Sequence, residues 1–333
     1  MANGTKGIDG PPQRTQHHPP AYAKQTLVAA TFFETTVHLG LSARAGIVDN
    51  LRLETALSAT RREDFLGAGP WQIFRRFQEY VTTPDADPVY LYTDDLVGIL
   101  PDRRLNNGQP SFLAYLIHQA SPRAGEHVVH IGAGTGYYTA ILAHIVGPSD
   151  RVTGIEYEPE LAARAKTNFA TWPNVDIVEG DGALGSFDTA DVICVNAGCT
   201  RPVESWLERL ADGGRLILPM TSDPSSAAKS LERMDFERAG AVFRIERSGK
   251  DYLARWISAV AIFPCAGNRD EASERALTDS FAKGGWRNVT RVYRNQEIPR
   301  SVAGFADRDG VSPTASKPGR KRCPIVRDPE QVC

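Results

Sequence analysis

Ligand binding is best suited by a glycine-rich segment of this chain that follows a short apolar run. Its glycines are Gly132, Gly134 and Gly136. The run Val128–Ile131 has the composition of a buried strand, and the pattern of Tyr137–Val146 predicts a helix directly after the glycines. Glycines at such a turn let a ligand approach the backbone closely, and the first turn of the helix presents unpaired N–H groups. The segment therefore predicts a turn that holds a cofactor.

The spacing of the glycines separates two classes of cofactor. Dinucleotide sites favour G-x-G-x-x-G, in which the third glycine lets the helix pack closely on the strand. Here the spacing is G-x-G-x-G, and Tyr137 stands where the dinucleotide pattern has its last glycine. That shape is typical of sites for S-adenosyl-L-methionine, which has no pyrophosphate to hold. We predict that this loop, with Thr135 inside it, binds S-adenosyl-L-methionine.

Polar residues follow the next apolar runs at the positions that such a cofactor requires. Glu156 ends the second run, where its carboxylate suits the two ribose hydroxyls and would repel the 2′-phosphate of NADP. Asp181 follows the third run and is a candidate for binding the adenine amino group, although a plain turn aspartate is the alternative. The remaining predicted cofactor contacts are Tyr157, Gly182 and Asn196.

Apolar strands alternate with amphipathic helices from His127 onward, a pattern that predicts βαβ units and a parallel sheet covered on both faces. Phe243 to Phe263, with a turn at Gly249, predicts an antiparallel pair at the sheet edge. The fold class is therefore α/β, with a doubly wound, mostly parallel sheet and a C-terminal antiparallel hairpin. Further strands are predicted at Val175–Val178, Val192–Val195 and Leu216–Leu218, and helices from Pro159 and over Glu204–Leu210.

Composition shifts divide the chain into four regions. Residues 1–24 are rich in Gly, Pro, Gln and His and are predicted to be a disordered tail. Residues 25–110 form an N-terminal helical and substrate-loop region, with a helical pattern to about Phe77 and short strands after residue 81. Residues 111–267 form the cofactor-binding domain. Residues 268–333 form an extension with a short helix that ends at Gly284-Gly285 and a disordered tail from about Asp307.

Overall composition bounds the partners and the location. The 333 residues include 38 basic and 40 acidic side chains, and a net charge of −2 argues against a nucleic-acid or anionic-membrane surface. The five cysteines lack zinc spacing, so no metal is predicted. No apolar run approaches the ~20 residues that span a bilayer, and no secretory signal is evident. We expect a cytoplasmic protein without membrane or nucleic-acid partners, and the sequence leaves its oligomeric state open.

Several motifs outside the glycine loop resemble the protein-L-isoaspartate O-methyltransferase family, over roughly residues 44–267. The resemblance implies a class I S-adenosylmethionine-dependent methyltransferase with a seven-stranded sheet, which esterifies the α-carboxylate of isoaspartyl residues in protein repair. That carboxylate is ionised at neutral pH, so no general base is required. The motifs are Arg44–Ile47, Arg61–Phe65, Ile155–Leu161, Glu179–Gly185, Leu210–Pro219 and Ile245–Lys250.

One loop departs from the pattern of the family. Its members carry Thr/Ile-Ser-x-Pro beside the acceptor carboxylate, and aligning Pro110 with the proline places Gly108 at the serine. The predicted replacements, and the candidate catalytic residues, are the side chains of Asn107 and Gln109 and the backbone N–H of Gly108. The departure keeps alternatives open: an enzyme for another carboxylate on a peptide or small molecule, a non-catalytic S-adenosylmethionine-binding protein, or a nicotinamide oxidoreductase.

His130 is unusual for the class, whose members usually carry an acid two residues before the first glycine. A hydrogen-bonded core histidine and a catalytic histidine both fit the sequence, and we favour the core position.

Overall fold

The computed structural model describes residues 47, 50–74, 79–185, 187–222, 240–262, 264–265, 269–294 and 311–313. The chain divides into two compact units, residues 1–118 and residues 119–333. The tail predicted over residues 1–24 lies outside the described residues, and so does almost all of the tail predicted from Asp307. No helix within the described ranges combines the length and the apolar composition needed to cross a bilayer.

Two helices come first in the described part of the first unit, α1 (Leu51–Ala59) and α2 (Glu63–Leu66). Leu53, Ala56 and Leu57 are buried on one face of α1, which confirms the predicted helical face. The helical pattern predicted as far as Phe77 is wrong over residues 67–74, and residues 75–77 lie outside the described ranges. Gly67 ends α2 with a positive φ of 73°, and Pro70 follows without a backbone donor, so the chain leaves the helix.

A small antiparallel sheet follows in the order β2-β1-β3-β4. These strands confirm the short strands predicted after residue 81, and they add one strand before it. The sheet ends immediately before helix α3 (Pro110–Ala120). Its strands are β1 (Gln72–Phe74), β2 (Tyr80–Thr82), β3 (Leu96–Leu100) and β4 (Leu105–Asn107).

The second unit contains a nine-stranded sheet in the order β13-β12-β11-β10-β9-β8-β5-β6-β7. The five strands from β9 to β7 in this order are parallel to one another, and the strands from β10 onward are antiparallel to their neighbours. The strands are β5 (Val128–Ile131), β6 (Val152–Glu156), β7 (Val175–Glu179), β8 (Ala190–Val195), β9 (Leu210–Thr221), β10 (Gly240–Ser248), β11 (Asp251–Ala259), β12 (Val289–Val292) and β13 (Val311–Pro313).

Four helices lie wholly within the described part of the second unit: α4 (Tyr137–Val146), α5 (Pro159–Asn168), α6 (Glu204–Arg209) and α7 (Glu271–Lys283). Gly147 ends α4 and Gly284 ends α7, as predicted from the glycines. The predicted βαβ alternation, parallel sheet and hairpin are confirmed.

The edge of the sheet extends beyond the predicted hairpin. The seven predicted strands are present as β5–β11, and β12 and β13 of the extension bring the described sheet to nine strands. Val311–Pro313 pairs with β12, so these three residues do not belong to a structureless tail.

Candidate cofactor site and acceptor loop

The predicted cofactor residues lie at the carboxyl ends of four adjacent parallel strands, β7, β6, β5 and β8. Ligands of open α/β sheets bind at this edge, beside the strand at which the order of connection reverses, which is β5 here. Backbone hydrogen bonds join the strand ends: Gly132 N donates to Ile155 O at 2.8 Å, and Asn196 N donates to Ile131 O at 2.8 Å. The structure therefore brings the glycine loop, Glu156, Asp181 and Asn196 to one edge.

Glu156 is the buried carboxylate of this edge, with 6% of its surface exposed. Its Oε2 accepts a hydrogen bond from Gly134 N at 2.6 Å, and its Oε1 accepts one from Glu158 N at 2.9 Å. Burial raises the pKa of Glu156, while the hydrogen bonds from Glu158 and Gly134 oppose the rise. Because each carboxylate oxygen carries two lone pairs, both oxygens retain capacity for a ribose hydroxyl.

The glycines of this loop are required by backbone conformation, and at Gly136 also by space. Gly132, Gly134 and Gly136 all have positive φ, a conformation that L side chains rarely adopt. A Cβ at Gly136 would also lie 2.3 Å from the ring of Phe169, which packs over α4's first turn. The loop therefore presents a backbone surface that only glycines can form.

The donors and acceptors around this loop fit S-adenosyl-L-methionine. Thr135 Oγ1 is buried, and nothing in the described part of the chain gives it a hydrogen-bond partner. The ammonium, ribose and adenine amino groups of the cofactor are donors, and the edge offers them the carboxylates of Glu156 and Asp181. Tyr137 stands where a dinucleotide loop has its third glycine, so these features match the predicted cofactor better than a dinucleotide.

The third strand end is a tight turn around Asp181. Its Oδ1 accepts from Ala183 N at 2.8 Å, so this aspartate does stabilise a turn, as the alternative interpretation held. Gly182 packs directly on the Ile131 side chain, and its carbonyl accepts from the indole N–H of Trp206 at 2.7 Å. Trp206 is fully buried, and no local sequence pattern indicates this role. Binding of adenine by Asp181 stays a prediction, as does a contact from Tyr157, which is 49% exposed.

His130 is a core histidine, as favoured from the sequence. It is 1% exposed in the middle of the sheet, and its Nδ1 lies 2.8 Å from Thr139 Oγ1. Burial lowers its pKa to about 4, although a side-chain hydrogen bond with Asn196 acts in the opposite direction. The imidazole is therefore neutral at physiological pH, and it joins β5 to α4 and to the end of β8.

In the first unit, the acceptor loop (residues 107–109) is held by a buried arginine. Arg62 is 1% exposed, and its Nε donates to Asn107 Oδ1 at 2.9 Å. Its Nη1 donates to Leu91 O at 2.7 Å, and its Nη2 donates to Gly108 O at 3.3 Å. The sequence marked Arg62 only as part of a family motif, and its burial depends on partners up to 46 residues away.

Asp94 holds the other end of the acceptor loop. Its Oδ1 accepts from Ser111 N at 2.8 Å, and its Oδ2 accepts from Ser111 Oγ at 2.6 Å and from Gln109 Nε2 at 2.7 Å. The side chains of Asn107 and Gln109, predicted to contact the acceptor, are thus bonded to Arg62 and Asp94. Their contact with an acceptor stays a prediction, and Asp94 is a residue that sequence reasoning missed.

Comparison with known proteins assigns the class and the family. The fold is that of the class I methyltransferases: a solved protein-L-isoaspartate O-methyltransferase superposes with a TM-score of 0.56 at 24% identity, covering 74% of this chain and 68% of its own. The model of the protein-L-isoaspartate(D-aspartate) O-methyltransferase family matches residues 42–247. The chain belongs to this family.

Individual relatives agree with the family match. Protein-L-isoaspartate O-methyltransferase of Ignicoccus hospitalis is 37% identical over 159 residues, which cover 46% of this chain and 69% of the relative. The protein of the same name from Methanothrix thermoacetophila is 34% identical over 147 residues, which cover 42% and 70%. A candidate protein-L-isoaspartate O-methyltransferase of Plasmodium falciparum, solved with S-adenosyl-L-homocysteine, superposes with a TM-score of 0.52 at 17% identity over 72% of this chain and 98% of its own. The family membership excludes the nicotinamide oxidoreductase.

Proposed function

We propose that the protein transfers a methyl group from S-adenosyl-L-methionine to the α-carboxylate of isoaspartyl residues in proteins or peptides. The observation that carries the proposal is the family match over residues 42–247, because it spans both the acceptor loop and the four strand ends of the cofactor edge. The named relatives act, by their names, on L-isoaspartate residues of proteins.

The cofactor supplies an electrophilic methyl group, and the protein supplies position. Glu156 would bind the ribose, the backbone of the glycine loop would border the amino-acid portion, and Thr135 Oγ1 would gain the partner that it lacks in the described chain. No side chain of the chain has to take a proton, because the acceptor carboxylate is already ionised. The chain's contribution is to align the acceptor oxygen with the methyl carbon and to exclude water.

A second candidate is methylation of a different carboxylate. It is favoured by Gly108, which lacks the serine hydroxyl of the family, and by the bonds that hold Asn107 on Arg62 and Gln109 on Asp94. With these side chains engaged, the acceptor loop offers mainly backbone to a substrate. Such a loop would suit an acceptor that is recognised chiefly by other parts of its structure.

The test is transfer of labelled methyl groups from S-adenosyl-L-methionine to an isoaspartyl peptide and to its normal aspartyl twin. Base-labile methyl ester on the isoaspartyl peptide alone is the expected result. A Gly108→Ser variant, which restores the residue of the family, serves as the matched comparison and should retain or increase this transfer. Cofactor binding without transfer to either peptide, in both proteins, would contradict isoaspartyl specificity and favour the second candidate.

A further inference from the structure

The segment that links β8 to α6 is bound on both sides by other parts of the second unit. We call residues 196–201 the post-β8 loop. Cys199 N donates to Pro219 O at 2.9 Å, and Thr221 N donates to Cys199 O at 3.0 Å, so the loop pairs with the end of β9. On its other side, Cys265 N donates to Gly198 O at 2.8 Å. The loop thus forms isolated β-bridges, from Cys199 to Met220 of β9 and from Gly198 to Pro264.

Arg269 fixes this loop with its whole guanidinium group. Its Nη1 donates to Gly198 O at 2.9 Å and to Thr221 Oγ1 at 3.1 Å, and its Nη2 donates to Thr221 O at 3.0 Å. Its Nε donates to Glu274 Oε2 at 3.0 Å, and Nη2 makes a second bond to the same oxygen. All five N–H groups of the side chain are therefore used, in the rigid fork that only arginine provides.

The partner of Arg269 places helix α7 on the same loop. Glu274 belongs to α7, and two further contacts join the start of that helix to the loop. The hydroxyls of Thr200 and Ser273 are hydrogen-bonded to each other at 2.8 Å, and Arg201 pairs with Asp270 at 3.3 Å. Helix α7 lies outside residues 42–247, the part of the chain that the family model matches.

The loop has little freedom to adjust around these contacts. Gly198 packs so closely on Thr221 that a Cβ there would lie 2.0 Å from Thr221 Oγ1. Two residues earlier, the backbone of Asn196 lies against Gly132, where a Cβ would meet the Asn196 carbonyl group at 3.5 Å. Gly198 and Asn196 are two residues apart in the same short loop, so the position of Gly198 limits the positions open to the backbone of Asn196.

We propose that Arg269 is a positioning residue: by holding Gly198 between α7 and the end of β9, it sets the place of Asn196 against the cofactor loop. The start of helix α7, through Ser273 and Glu274, thereby supports the cofactor edge. The proposal rests on the proposed function in taking S-adenosyl-L-methionine as the cofactor, and it needs no particular acceptor.

The experiment compares full-length Arg269→Ala with Arg275→Ala, a matched change at an exposed arginine of α7 whose ion pair among the described residues is to Glu271 of the same helix. Calorimetry measures the Kd of S-adenosyl-L-homocysteine, and hydrogen exchange follows the amides of Cys199, Thr221 and Cys265. Arg269→Ala should raise the Kd about tenfold and accelerate exchange at these amides. The reason is that a change far from a site can displace the groups that bind its ligand. Arg275→Ala should leave both unchanged.

A Glu274→Gln variant covers the outcome in which Arg269→Ala does not fold, since it keeps the helix and removes only the counter-charge. It should raise the Kd by a smaller factor and accelerate exchange at the same amides. An unchanged Kd in folded Arg269→Ala or Glu274→Gln, with a lower melting temperature alone, would overturn the proposal and leave Arg269 a stabilising residue. Absence of binding in the unaltered protein would instead contradict the proposed function.

Discussion

His130 gives the sharpest quantitative test of the cofactor edge, because its surroundings determine when it takes a proton. The ring of this β5 residue is buried against α4, and burial lowers its pKa from 6.5 to about 4. In the unfolded chain the same imidazole titrates near its ordinary value of about 6.5. Between these two pH values the unfolded state therefore binds one proton more than the folded state.

The stability that neutral His130 provides is thus complete above about pH 6.5 and is lost as the pH falls toward 4. Between about pH 7.5 and about pH 5.5 the linkage relation gives a loss of about 1.4 kcal/mol in the free energy of unfolding. The full shift corresponds to about 3 kcal/mol once the folded protein also takes the proton.

Urea unfolding of the unaltered protein and of His130→Gln, at both pH values, measures this loss directly. Glutamine keeps polar contacts to Thr139 and Asn196 but does not titrate. The unaltered protein should lose about 1.4 kcal/mol more than the variant over this interval. His144, whose pKa burial also lowers, is present in both proteins and cancels. Equal losses in the two proteins would refute the assignment of a buried neutral imidazole.

Two further predictions concern the cofactor and the acceptor loop. Glu156→Gln should raise the Kd of S-adenosyl-L-homocysteine by about tenfold or more, because it replaces a charged acceptor that also binds Gly134 N. Glu160→Gln, a change at an exposed residue of α5, is the control. An unchanged titration of Glu156→Gln would exclude the ribose assignment. Arg62→Lys should lower the free energy of unfolding by about 2–4 kcal/mol and raise the KM for the acceptor, because an ammonium cannot replace the guanidinium that reaches Asn107 and Gly108. Arg61→Lys, a change at the exposed neighbouring arginine, is the control and should have little effect in urea unfolding and acceptor titration. Equal effects in both variants would contradict this role of Arg62.

The sequence predicted those parts of the fold that local patterns determine. The buried strand Val128–Ile131 and the helix Tyr137–Val146 have the bounds that their apolar residues indicated, and Gly147 ends the helix. Strand β9 was predicted only at Leu216–Leu218, yet it extends over Leu210–Thr221. Arg215 lies in that longer strand and is buried because its guanidinium forms a bidentate pair with Glu126, a contact that no local pattern contains.

The same distinction applies to the residues of the candidate sites. Some act through local backbone conformation, and others act through contacts with distant parts of the chain. Gly132, Gly134 and Gly136 act through backbone conformation, which their spacing in the sequence displays. Arg62 and Arg269 act through hydrogen bonds to carbonyls far away in the chain, so their residue types alone do not reveal them.

The acceptor loop shows what this difference means for specificity. A serine at position 108 would bring its own hydroxyl to an acceptor, whereas Gly108 contributes backbone whose place depends on Arg62. Each bond from Arg62 to this loop is charge-assisted and buried, and such bonds contribute roughly 1.5–3 kcal/mol. The backbone of the loop is therefore held in place, while its side chains offer little that would distinguish one carboxylate from another. Selectivity for one carboxylate must then come from the shape of this backbone. A peptide series that varies the residues on either side of an isoaspartate would reveal that shape through its KM values.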